Sequence, residues 1–216
     1  MQIRFISKFL LAVLLATQLS ACGILAVGGV AAGASVMADR RTPGVQAIDN
    51  GIEMQANAAL SKKFGDNAHI NVTSFNQKVL LTGEAKDADI KGEAGAYVKA
   101  MKNARTVFNE IVIGPNSTYT ARANDSYLES KIKTQMIFTD KLPSNSMSIV
   151  AEGTSVYLMG ILTQNEADLA KKVASNTNGV KDVYVYFDII SDAEKNRLEK
   201  QGKADESQPN SPPKFQ

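Results

Sequence analysis

The chain contains the same short phrase twice: Val79-Leu80-Leu81-Thr82-Gly83 returns as Val156-Tyr157-Leu158-Met159-Gly160, 77 positions later. A phrase repeated at such a distance marks one supersecondary unit used twice. The flanking periodicities agree. In the first copy Met54, Ala58, Ala59 and Phe64 recur at near-helical spacing. Ile70 and Val72 then alternate with polar neighbours as a half-buried strand does. A turn at Asn76-Gln77 leads into a second strand through Val79, Leu81 and Gly83. A helix over Asp87 to Lys102 gathers Ile90, Ala94, Tyr97, Val98 and Met101 on one side, and Val107 to Ile113 form a closing strand.

The second copy keeps the order. Leu128, Ile132 and Met136 lie on a helix and Met147 and Ile149 on a strand. A turn at Glu152-Gly153-Thr154 precedes Val156, Leu158 and Gly160, a helix spans Asn165 to Asn176, and a last strand runs Val183 to Ile189. There the offset is 76, Val107 against Val183, so one residue was gained or lost between the copies. Each unit reads α-β-β-α-β, an α+β two-layer sandwich with both helices on one face of a three-stranded sheet. The expected limits are 46–114 and 122–190. Units of about 65 residues are small for independent stability, which favours packing of one on the other. Gly83 and Gly160, at matching strand ends, read as backbone requirements, a bulge or a close helix approach. Gly179 reads as a helix stop.

Residues 1–21 form a secretory signal: Arg4 and Lys8, then an apolar run from Phe9 to Ala16 that is shorter than the roughly 20 residues a spanning helix needs. The cleavage region Leu19-Ser20-Ala21-Cys22 resembles the lipobox of bacterial lipoproteins, which implies a lipid on Cys22, the chain's only cysteine. In such proteins an Asp after the cysteine favours inner-membrane retention, so Gly23 implies the outer membrane, facing the periplasm. Residues 22–45 read as a lipidated, Gly/Ala-rich tether. Its Arg40 and Arg41 either meet phosphate headgroups or belong to a linker that touches nothing. Residues 191–216 read as a disordered polar tail with a helical turn or two around Ala193 to Leu198.

Loss of the signal removes Arg4 and Lys8 and no acid, so the 24 basic and 22 acidic residues become 22 of each. A formally neutral chain has no basic field to attract nucleic acid. His69 is the only histidine, and no carboxylate pair, phosphate loop or metal-ligand spacing appears. Catalysis, a metal and a cofactor are therefore not expected, and His69 reads as a surface residue.

The repeated unit with its Val-x-Leu-x-Gly strand resembles the BON domain of bacterial envelope proteins. The order of signal, lipobox, tether and two such units, with Asp39-Arg40-Arg41 and Ile70-Asn71-Val72-Thr73, is similar to dual-BON outer-membrane lipoproteins. One departure is Lys102-Asn103-Ala104, where the family has a glycine; Asn103 can take a left-handed conformation at modest cost. The charged tail is another. The resemblance implies phospholipid binding and support of envelope integrity, chiefly through the second domain.

The residues offer a surface for that role. On a helix beginning near Asn124-Asp125-Ser126, Leu128, Ile132 and Met136 form a core stripe. Tyr127, Lys131, Thr134 and Phe138 share another face, suited to an anionic headgroup interface. Taken without the resemblance, an exposed Tyr and Lys are an ordinary solvated face, and Phe138 fits equally beneath the following loop. Ile137 and Leu142 are placed to widen the apolar patch. In dual-BON lipoproteins the position matching Tyr127 is an aromatic implicated in membrane contact. The rival expectation is a non-catalytic adaptor that docks on outer-membrane assembly machinery or another periplasmic partner through a sheet edge or the tail.

Overall fold

The structure, a computed structural model, describes residues 39–206. The signal, Cys22 and the Gly/Ala-rich tract lie outside the described residues, as does the chain beyond 206. Thr42 opens the first helix, α1 (Pro43–Phe64): its hydroxyl accepts from Val45 N at 3.3 Å, and Pro43 fills the first turn, where a missing N–H costs nothing. The hairpin β1 (Ala68–Phe75) and β2 (Lys78–Ala85) follows, then α2 (Ala88–Lys99). The closing strand is split into β3 (Thr106–Asn109) and β4 (Val112–Ile113), both parallel to β2. The single strand expected from Val107 to Ile113 is thus interrupted, because Ile111 turns inward to a fully buried position.

The second unit consists of α3 (Tyr119–Ile137), β5 (Met147–Glu152), β6 (Ser155–Leu162), α4 (Gln164–Ser175) and β7 (Asp182–Ile189). Its sheet has the order β5-β6-β7, antiparallel then parallel, as β1-β2-β3 has. Gly83 lies at φ +100°, where a Cβ would collide with the His69 carbonyl oxygen, and at Gly160 a Cβ would stand 2.9 Å from Ser146 O. Gly179 lies at φ +108°. Its counterpart Asn103 takes the left-handed conformation at φ 76°.

Helix α1 buries Ile52, Ala56, Leu60 and Phe64; of the expected row only Phe64 is fully inside, Ala59 is half-buried, Met54 is 72 % exposed and Ala58 is exposed. The rotation is set by a polar stripe beside the buried one. Asp49, fully buried, accepts from Ser74 Oγ (2.8 Å), Asn76 N (2.8 Å), Gln77 N (2.7 Å) and an Arg41 Nη (2.9 Å). Asn76 and Gln77 both have positive φ, 54° and 64°, the paired left-handed conformation of a tight hairpin turn. Neither is glycine, so the carboxylate compensates the strain by binding the turn's N–H groups. One turn along, Glu53 accepts from Ser74 N at 2.7 Å. The second unit repeats the device: Asp125 accepts from Gly153 N and Glu129 from Ala151 N, both at 2.9 Å. Burial raises the carboxyls of Glu53, Asp125 and Glu129, opposed by these backbone hydrogen bonds.

Each sheet buries both faces. Val72, Val79 and Leu81 face α1 and α2, and Val156, Leu158 and Leu162 face α3 and α4. The opposite faces meet each other: Phe75, Leu80 and Phe108 pack on Val150, Tyr157, Met159, Ile161 and Tyr186. The result is a helix, sheet, sheet, helix sandwich. Phe108 and Tyr186 stack at 4.1 Å between centroids, and Tyr186 Oη donates to Glu110 at 2.8 Å. Burial and that hydrogen bond push the Tyr186 hydroxyl upward, and burial raises Tyr157 to about 12. At the rim Lys78 pairs with Asp188 at 2.7 Å.

The tether's arginines correct both expectations, headgroup contact and a linker that touches nothing, since both side chains are committed to the protein. Arg40 is 4 % exposed. Its guanidinium donates to Ile161 O (2.9 Å), to both oxygens of Glu166 (2.7 and 2.9 Å) and to Glu199 (2.8 Å). Arg41 lies over the Phe75 ring at 3.9 Å and binds Asp39 and Asp49. Glu199 belongs to α5 (Asp192–Glu206), far longer than the turn or two expected of the tail. Leu198 inserts against the inter-sheet cluster and Lys195 pairs with Glu166 at 2.9 Å, so the helix has a packed face that composition concealed.

Two outcomes follow from these contacts. Leu80→Ala, deleting a side chain buried between the sheets, is expected to lower stability by about 3 kcal/mol in urea unfolding. Burial alone would raise Glu166, but the hydrogen bonds from Arg40, Lys195 and Thr163 N and the Arg40 charge outweigh it and hold the carboxyl at about 2 against a reference of 4.5. The folded chain thus holds fewer protons there than the unfolded one. The stability this group supplies is complete above pH 4.5 and is lost as pH falls towards 2. Glu166→Gln should flatten that part of the stability profile, measured by thermal unfolding between these limits.

Candidate functional site: the outer face of α3

Helix α3 forms part of the outer layer of the second unit. It begins at Tyr119, capped by Thr118, whose hydroxyl accepts from Ala121 N at 3.2 Å. The start expected at Asn124-Asp125-Ser126 is therefore too late. The Asp125 side chain, inside the helix, binds the hairpin at Gly153 N. The additional turn adds Tyr119, 88 % exposed, whose ring lies 5.4 Å from the Arg122 guanidinium.

Leu128, Ile132 and Met136 form the buried stripe. On another face Tyr127 is 70 % exposed and Phe138 is 78 % exposed, so Phe138 does not pack beneath the loop that follows. Thr134 is exposed and turns its hydroxyl back to Ser130 O at 2.8 Å. Lys131, half-buried between the aromatics, donates to Asn178 O at 3.0 Å. That single bond fixes the ammonium at the helix surface with two of its three protons available for an anionic oxygen. Ile137 is exposed and extends the patch, whereas Leu142 is buried in the core and does not.

Behind this face Lys133 donates to Ser144 O, and burial lowers its pKa against the opposing charge of Asp39. Arg40 N donates to Ser146 Oγ at 3.1 Å in the same turn, Ser144–Ser146. The sequence reading missed this link. An Arg in a tract otherwise poor in long side chains, matched by a Glu at the capping-box position of α4, was its only signal. The Asp-x-x-x-Glu spacing of Asp49/Glu53 and Asp125/Glu129 is a clearer signal for the hairpin clamps. His69 is half-buried in β1, where burial and the nearby Arg122 lower its pKa. Among the described residues no helix is long and apolar enough to cross a membrane, and no cluster of His, Cys, Asp and Glu is placed to hold a metal ion.

Comparison with known proteins agrees with the repeat. The BON domain pattern matches residues 49–115 and again 124–190. The chain is 31 % identical over 174 residues to the outer membrane lipoprotein DolP of Haemophilus influenzae, covering 80 % of this chain and 90 % of that one. It is 29 % identical over 154 residues to a 21 kDa hemolysin of Actinobacillus pleuropneumoniae, covering 70 % and 79 % respectively. A solved structure of CdsD, a structural protein of the type III secretion system of Chlamydia trachomatis, aligns over 69 % of this chain and 68 % of that one, at 14 % identity and a TM-score of 0.27. With two matched domains and a DolP relative aligned over most of both chains, this protein belongs to the BON-domain family, as a dual-BON outer-membrane lipoprotein of the DolP-like type.

Proposed function

We propose that the protein is held at the outer membrane by a lipid on Cys22 and rests its second BON domain on anionic phospholipid through Tyr127, Lys131, Thr134 and Phe138, supporting the integrity of the envelope without catalysis. The observation that supports this is the exposure of two large aromatics on one face of a helix whose opposite stripe is fully buried. Exposed rings gain nothing from water, and at a bilayer surface they reach the acyl boundary while the lysine between them meets a phosphate. The anchor supplies residence, since each buried methylene contributes about 0.8 kcal/mol. The helix face therefore needs only enough affinity to orient the domain.

A second reading, a periplasmic adaptor, has its own support. β7 is the outer strand of its sheet, and Tyr184, Val185 and Ile189 on it are exposed. An open, apolar strand edge is a template for an added strand from a partner such as outer-membrane assembly machinery.

Flotation of the unlipidated chain 23–216 with phosphatidylcholine vesicles and with phosphatidylglycerol-containing vesicles separates the two. Selective binding to the anionic vesicles is expected. Lys131→Glu should weaken it by roughly five-fold or more, since one basic residue near such a surface contributes about 1 kcal/mol. Tyr127→Ala should weaken it comparably while leaving the melting temperature unchanged. Absent binding to both vesicles would overturn the lipid reading in favour of the adaptor, and equal binding to both would overturn the preference for anionic lipid.

A further inference from the structure

We infer that Asp39, Arg40 and Arg41 form a positioning clip that makes the lipidated tether leave the molecule from the second domain, beside the C-terminal end of α3, so that the anchor's own bilayer is the surface presented to Tyr127 and Phe138. The inference rests on the lipid-facing role of α3 proposed above and adds what directs that face to the membrane.

The chain order alone places the tether on the wrong domain. Residue 42 caps α1, the first helix of the first domain, so an unattached tether would swing from there. Instead Arg40, two residues earlier, is inserted into the second domain, 106 residues away from its partner Ser146. The insertion is held at most of its polar atoms: the backbone N–H is bound by Ser146, and the two terminal guanidinium nitrogens are bound by Ile161 O, Glu166 and Glu199, while the buried Nε has no partner among the described residues. A buried guanidinium is stable only when so paired, and withdrawing it would strip the buried Glu166 of its bidentate partner, which keeps the clip closed. Arg41 then turns the chain towards the first domain through Asp49 and Phe75.

The clip lies at one particular end of α3. The turn Ser144–Ser146 that holds Arg40 through Ser146 also accepts, at Ser144 O, the Lys133 ammonium of α3. Lys133 is one helical turn before Ile137 and Phe138, which are exposed. The exit at Asp39 and the apolar end of α3 are thus joined by a single short turn. Cys22 and Asp39 are seventeen residues apart, a reach of at most about 60 Å, only about twice the 30 Å diameter of a small domain. An exit beside the helix raises the effective concentration of bilayer at that face, and an exit elsewhere spends the tether's length on going round the molecule.

The test uses the lipidated full-length chain in phosphatidylethanolamine/phosphatidylglycerol vesicles that contain a spin-labelled quencher lipid. An environment-sensitive fluorophore is attached at Asp140→Cys, an exposed position next to the apolar end of α3. Quenching is expected in the parent protein, a fall to less than about half in Arg40→Ala, and an intermediate fall in the milder Glu199→Ala. The unlipidated chain should bind the same vesicles equally with and without Arg40→Ala, because the clip acts only through the anchor. Unchanged quenching in both lipidated variants would overturn the clip while leaving α3 as the membrane face. Loss of binding by unlipidated Arg40→Ala and Glu199→Ala would overturn it by showing that the residues merely maintain the domain. Absence of quenching in the parent would overturn the role of α3, and the clip with it.

Discussion

A three-stranded sheet has two faces, and two helices cover only one of them; nearly everything else in this molecule follows from how the second face is covered. Here each sheet covers the other, with Leu80 and Phe108 of the first packed on Tyr157, Met159 and Tyr186 of the second. Two units near the lower size limit for a stable core thereby share a third core between them. The central strands β2 and β6 become inaccessible on both sides: Val79, Leu80 and Leu81 are all fully buried, as are Val156, Leu158 and Met159. The helices are forced outward, and the outer face of α3 is left to solvent.

The polar interactions are placed where this arrangement would otherwise be loose. The hairpin of each unit must turn within two residues, and each unit supplies a carboxylate from its first helix to bind the N–H groups at that turn, Asp49 in one and Asp125 in the other. Between the domains, Lys78 with Asp188 and Tyr186 with Glu110 fix the rotation of one sheet on the other, which apolar packing alone specifies poorly. The buried Arg40 joins the chain entering the first domain to the second domain and to α5.

The order of elements was legible in the sequence because it rests on local periodicity written twice. Rotation about an element axis was less so. In α1 the apolar residues Met54 and Ala58 suggested a face that the structure leaves exposed, because the adjoining Asp49, Glu53 and Asn57 must reach the hairpin. Leu80 and Tyr157, between Val and Leu in the repeated phrase, and Met159, between Leu and Gly, carried the record of a two-sided sheet. Continuous apolar runs of this kind are the mark of a strand buried on both faces, whereas Val79, Leu81 and Gly83 taken alone describe only one. The α3 face was legible as a row, since Tyr127, Lys131, Thr134 and Phe138 follow helical spacing, but the start of the helix was not: Thr118 caps it, ahead of the Asn124-Asp125-Ser126 start that was expected. Arg40 was misread for a plain reason. Its partners Glu166 and Glu199 lie 126 and 159 residues away, and no local pattern encodes a contact at that range.

The outward position of α3 has one further consequence. The stripe that folds the second domain and the stripe exposed to solvent are set apart around one helix, so substitutions at 127, 131, 134 and 138 touch no core cluster. Selection can therefore alter that exposed face, residue by residue, without passing through unstable intermediates. The hidden strands between the sheets have no such freedom.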